Sequence, residues 1–189
     1  MRFFATLLAL TPAVLAAPAV SQPQSGANLA AGFYLTQVYA NGTLVRTPLD
    51  NVANLQGASV ISRRTASGNP AATASKLGKR FIDCWGRQLD NAGTDKAVDR
   101  WKGYLRTTNL ELRSPGDANV YAELINDGVT VYYCINAKNT FGSLSLEDFN
   151  YALVQMDGRC RRYEASYFRW DGSAEIVGKA SVNDRVCLG

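Results

Sequence analysis

Histidine is missing from all 189 residues of this chain. That absence removes the Ser-His-Asp and Cys-His nucleophile systems, the two-histidine zinc proteases and the imidazole acid/base pair. The four cysteines, Cys84, Cys134, Cys160 and Cys187, contain no CxxC spacing. A dithiol redox site and a thiolate zinc knuckle therefore have no support, and no metal or other cofactor is expected. Apolar runs are short as well. None reaches the roughly 20 residues that a bilayer-crossing helix needs, so no membrane span is expected.

What is present begins with a basic start, Met1-Arg2, followed by the apolar run FFATLLALTPAVLA. This reads as a cleaved export leader over residues 1–16, with a cut before Ala17 and a rival cut just after it. Export leads to an oxidising compartment, where an even number of cysteines reads as a disulfide framework. The expected localisation is secreted and extracellular.

Residues 17–80 read as a pro-segment or flexible spacer. The stretch 48–80 is rich in Ala, Ser, Asn, Thr and Gly, has no sustained hydrophobic period, and ends in LGKR. Lys79-Arg80 is a dibasic pair of the kind secretory convertases cut, with Arg63-Arg64 a weaker candidate. Charge also changes here. Residues 1–80 hold seven Lys/Arg against one Asp, a net of +6, whereas residues 81–189 hold thirteen against fifteen Asp/Glu, a net of −2. The basicity of the whole chain thus belongs to its first part, and no nucleic-acid partner is expected for the rest. Within the spacer, FYLTQVYANGTLVRT (33–47) reads as a hairpin around Asn41-Gly42, and Asn41-Gly42-Thr43 is also a glycosylation sequon. On this reading, removal of the spacer takes the hairpin and any Asn41 glycan with it.

From residue 81 the pattern sharpens into one module, 81–189. FIDCWGRQL is β-prone, and Thr94 is placed to cap a helix whose apolar face carries Ala97, Val98, Trp101, Tyr104 and Leu105. VYAELI and VTVYYCINA flank Asn126-Asp127-Gly128, a tight-hairpin signal. Val129, Val131, Tyr133 and Ile135 share one face of the second run, and Thr130, Tyr132 and Cys134 the other. Both faces are largely apolar, as in a strand covered on each side. Ser145 precedes Asp148 at capping-box spacing, and Leu146, Phe149, Leu153 and Met156 follow at helical spacing. Two more β-prone runs, YEASYFRW and AEIVGKA, complete the chain. The expected fold is α+β, a βαββαβ-like two-layer sandwich with an antiparallel-rich sheet, two helices on one face and two disulfides. Four cysteines allow three pairings. Return of the second helix toward the start of the first strand favours Cys84–Cys160 with Cys134–Cys187.

The runs DCWGRQLD, YYCINAKN, MDGRC and RRYEASYFRWDG and the terminal VCLG resemble those of small secreted four-cysteine proteins of filamentous fungi. These are effector-like and similar in architecture to fungal killer toxins with an α/β-sandwich fold. The resemblance covers residues 81–189 and rests on the order of cysteines and elements. It implies export by a fungus, action on a host or competitor target, and no cofactor. The killer toxin itself has more cysteines and a basic module, so its attributed lysine-dependent channel blockade is not carried over.

Carboxylates are the remaining acid/base candidates: Asp83, Asp90, Asp95 and Asp99, then Glu147, Asp148 and Asp157. No spacing singles out a pair, and caps and turns account for several, so no catalytic residue is assigned. Arg159, Arg161 and Arg162 surround Cys160 in a segment that reads as a solvated turn. Aromatics carry more information. Alternation in YEASYFRW places Tyr167 and Arg169 on one side of a strand and Phe168 and Trp170 on the other. With Tyr132, these residues form the candidate binding surface, since Trp, Tyr and Arg dominate binding energy at protein interfaces. The expected partner is a host or competitor protein. A cell-wall glycan, bound or cleaved through aromatic and carboxylate side chains, is the alternative.

Overall fold

Two neighbouring strands with no exposed position anchor the architecture. In a computed structural model, which describes residues 29–49, 59–64 and 80–187, β6 (Ala118–Asn126) and β7 (Val129–Ile135) are buried along their whole length. They join through Asp127 and Gly128, both at positive φ, the backbone that a two-residue hairpin turn requires. Val129, Val131, Tyr133 and Ile135 enter one apolar cluster, Tyr132 and Cys134 another. The strand is therefore covered on both faces.

Around this pair a seven-stranded sheet runs in the order β2-β1-β6-β7-β10-β9-β4, and every pairing in it is antiparallel. The remaining members are β1 (Gly32–Tyr39), β2 (Leu44–Pro48), β4 (Arg80–Gln88), β9 (Glu164–Trp170) and β10 (Glu175–Ser181). A smaller antiparallel sheet, β3-β5-β8, comprises Ser59–Arg64, Thr108–Arg113 and Phe141–Leu144. Leu110, Leu112 and Leu144 bring it into the main core. Buried Glu175 joins the two sheets. Its carboxylate accepts from the Tyr133 hydroxyl at 2.6 Å, the Ser173 hydroxyl at 2.9 Å and the Ser143 N–H at 3.1 Å.

Two helices lie together on one face of the large sheet: α1 (Asn91–Leu105) over β6 and β7, and α2 (Leu146–Arg159) over β9 and β4. Trp101 and Phe149 meet between them at 5.7 Å. The described residues thus form an antiparallel α+β fold with two helices and two disulfides. Ser145 caps α2, accepting the Asp148 N–H at 3.1 Å. The cap of α1 differs from the expected one. Asp90 accepts the Gly93 N–H at 2.6 Å, and Thr94 lies one turn inside, its hydroxyl donating to the Asp90 carbonyl. The short carboxylate of Asp90 outcompetes a hydroxyl four residues later, which advances the helix start.

The opposite face is closed by the C-terminal segment. Val186 and Cys187 pack on Tyr121, Tyr132, Cys134 and Ile176, and Cys134–Cys187 fixes the segment there. The second bond, Cys84–Cys160, ties β4 to the C-terminal end of α2. Of the three pairings that four cysteines permit, the fold uses the one favoured by the returning helix.

The hairpin around Asn41-Gly42 consists of β1 and β2, with Gly42 at positive φ and Asn41 exposed at the tip. It belongs to the same sheet as the cysteine-bearing strands, because β1 pairs with β6 from Gly32↔Ile125 to Tyr39↔Ala118. Residues 1–16, read as the leader, and Lys79 of the dibasic pair lie outside the described residues; Arg80 opens β4. No described helix is long and apolar enough to cross a membrane.

Candidate functional site

Strand β9 divides its side chains as alternation demands, but the interior takes most of the aromatic ones. Phe168 and Trp170 are buried in the helix-side core, where their rings meet at 4.8 Å. Tyr132 is buried on the other face, its ring lying over Gly178, directly opposite in β10, where any Cβ would collide with it. These three residues of the sequence-derived surface are thus core residues, because α2 and the C-terminal segment cover the faces to which they point. Arg169 remains exposed and Tyr167 half-buried.

Those two belong to a surface that is completed by the neighbouring strand. In β4, Phe81 lies opposite Arg169 and Asp83 opposite Tyr167. Phe81 is 47% exposed, the Arg169 guanidinium sits 5.4 Å from its ring centre, and the Tyr167 ring is 5.7 Å away. Trp85 continues the row, 6.1 Å from Tyr167 and edge-on to it, and its indole N–H donates to Asp83 at 3.1 Å. Burial, reinforced by the Asp83 charge and opposed by Arg169, holds the Tyr167 hydroxyl above its ordinary pKa. It is therefore a neutral hydrogen-bonding group across the physiological range. The result is a row of Arg169, Phe81, Tyr167 and Trp85 with one carboxylate, spread across β9 and β4, the last two strands of the described sheet. Sequence reading placed Tyr167 and Arg169 here. Phe81 is absent from that reading and Asp83 enters it only as an acid/base candidate, because pairing of β4 with β9 brings together residues more than 80 positions apart.

The surface stands on a fixed base. Pairing of β4 with β9 is interrupted between Cys84 and Gln88, where Gly86 adopts φ 71°. Glu164 holds this bulge, accepting the Gly86 N–H at 2.6 Å on one oxygen and the Arg161 N–H at 3.1 Å on the other. The backbone N–H groups of Arg161 and Gly86 pull its carboxyl below the usual range. Such a carboxylate stabilises the fold fully above its unfolded pKa, near 4.3, and the contribution is lost as pH falls through the lowered folded value. Glu164→Gln is therefore expected to lower the urea midpoint at pH 7, with wild type and variant converging below about pH 4. A gap that stays constant down to pH 2 would contradict this role.

Four of the acid/base candidates, Asp90, Asp95, Asp148 and Asp157, have structural partners. Asp90 caps α1, Asp148 accepts from the Ser145 hydroxyl, and Asp157 pairs with Lys179, a side chain buried among the ends of β10, α2 and the Arg162 carbonyl. Asp95 accepts from the Tyr163 hydroxyl at 3.0 Å and from Arg162 at 3.2 Å, while Asp99 and Glu147 are exposed on helices. That hydrogen bond to Asp95 raises the Tyr163 pKa. Arg161 pairs with Glu164, and Arg159 is exposed in the last turn of α2, so the three arginines do not converge on one point. A cleft of about 250 Å³ between the helices is lined by Asp95, Val98, Lys102, Leu153, Arg162 and Lys179. Among the described residues, no group of three or more acidic or sulfur-bearing side chains is arranged to hold a metal ion.

No protein-family model, curated protein or solved structure matches this chain.

Proposed function

We propose that this protein is an exported binding protein, fungal and effector- or toxin-like, that acts without catalysis on a protein of a host or competitor. The observation that carries the reading is the row formed by Arg169 and Tyr167 of β9 with Phe81 and Trp85 of β4, at the end of the described sheet and braced by Cys84–Cys160 and Glu164. Aromatic and arginine side chains supply most of the energy at protein interfaces, and rigid ones lose little entropy on binding. A half-exposed phenylalanine in contact with a guanidinium and a tyrosine is costly to leave in water and is already ordered for contact. Export is supported by the leader-like start and by the two disulfides. The fungal source and the effector-like role rest on the sequence resemblance.

A glycan is the second reading, favoured by the same rings standing in line along the strand edge with Asp83 and Arg169 beside them. Labelled protein on intact plant and fungal cells separates the two. Binding is expected to fall after protease stripping of the cells and to persist in excess chitin and β-glucan oligosaccharides. Competition by either oligosaccharide, with no effect of protease, would replace the protein target with a glycan.

A further inference from the structure

We propose that the segment preceding the dibasic pair is a resident subunit of the folded protein, so that a cut between Arg64 and Phe81 yields a two-chain protein with no covalent link. All four cysteines follow residue 80, so no disulfide ties the two pieces. What joins them is the fold itself, in both sheets: β1 pairs with β6 over eight positions, and β3 pairs with β5 over six. The first hairpin also supplies a buried side chain to each apolar cluster, Leu35 to the main core, Val38 to the face under the C-terminal segment, and Tyr34 to the small group with Ile125 and Val182. Phe33 covers α1, its ring 4.6 Å from Trp101 and 5.1 Å from Tyr104.

The decisive group is Glu123, fully buried in the middle of β6. Its carboxylate accepts from the Thr36 hydroxyl at 2.6 Å and from Arg46 Nε at 2.7 Å, and Thr130 supplies the third bond at 2.8 Å. Two of these three partners, including the only cation among them, come from the hairpin. Loss of the hairpin would strand a buried anion and turn an entirely buried strand into an open edge. Processing at Lys79-Arg80 would then alter connectivity and leave the architecture, with its Asn41 tip, in place. This inference is independent of what the Phe81 surface binds.

The test uses the full exported chain with a viral-protease recognition sequence in place of residues 67–77, cut until denaturing electrophoresis shows complete conversion. Size-exclusion chromatography with mass detection is expected to show both pieces in one peak at the mass of the uncut protein. Reductant should not part them, and denaturant should. In the same chain carrying Arg46→Ala, the first piece is expected to dissociate at least about tenfold faster. A separate peak of the first piece beside a folded remainder would overturn the proposal, as would aggregation of the remainder after cutting. Dissociation unaffected by Arg46→Ala would overturn the part assigned to the Glu123 pair.

Discussion

Replacing Arg46 with leucine is expected to destabilise the protein by about 3–5 kcal/mol, the usual consequence of leaving a buried charge without its partner. The Arg46 guanidinium lies in the β2 strand with its side chain only 9% exposed, and Glu123 beneath it is fully enclosed. Burial alone would lower the arginine pKa, but the charge and hydrogen bond of Glu123, together with Tyr121, outweigh it and hold the group above its ordinary value. The guanidinium therefore stays charged, and removing it leaves the enclosed Glu123 without its cation, at the desolvation penalty of an unpaired buried group. Changing both to leucine is expected to recover much of the loss, since apolar replacements of a buried ion pair are often neutral or better. Chemical denaturation of the single and double variants measures both quantities. A single variant within about 1 kcal/mol of wild type would show that the pair is solvent-screened.

Removing Cys134–Cys187 by a double alanine substitution ranks second, at about 4 kcal/mol on a chain-entropy estimate for the 53 positions it spans. More than entropy is at stake here. The bond holds the C-terminal segment over Tyr121, Tyr132 and Ile176, and Tyr167 and Trp85 of the candidate surface rest against the same cluster. Release of the segment is expected to lower the thermal midpoint and to uncover apolar surface, seen as new binding of a hydrophobic dye. The two bonds also differ in access, because Cys84 is exposed whereas Cys134 and Cys187 are buried. Mild reductant followed by alkylation should therefore label Cys84 and Cys160 first. Labelling of Cys134 ahead of Cys84 would contradict the burial described for the C-terminal segment.

Where local chemistry decides, the sequence was readable. Asp127-Gly128 between two β-rich runs, Ser145 ahead of an apolar helical face, and four cysteines in an exported-looking chain each constrain a few neighbouring residues, and each has its counterpart in the fold. What escaped depends on partners distant in the chain. Thr108–Arg113 and Phe141–Leu144 are too short to announce themselves, and they become strands by pairing with each other and, for Thr108–Arg113, with Ser59–Arg64. The small second sheet was accordingly missed. Alternation in β9 separated Tyr167 and Arg169 from Phe168 and Trp170, but periodicity cannot reveal which face a helix will cover. Tyr132 was misplaced for a related reason: its ring fits inside because Gly178, across the strand pair, has no side chain to oppose it. The candidate surface was thus half legible, in β9, and its other half became visible only when β4 was laid beside it.

Scanning mutagenesis of exposed apolar residues, read by cell binding, decides whether the Phe81 surface is the one that recognises the target. Phe81→Ala and Arg169→Ala are each expected to weaken binding of the exported protein to its target cells by about 30-fold, the scale of an interface hot spot, with unchanged thermal unfolding. Val154→Ser on α2 and Phe141→Ser on β8, two apolar side chains at 66% and 70% exposure, should bind as wild type does. Full binding by the Phe81 and Arg169 variants, or a loss confined to Val154 or Phe141, would place the recognition surface elsewhere on the molecule.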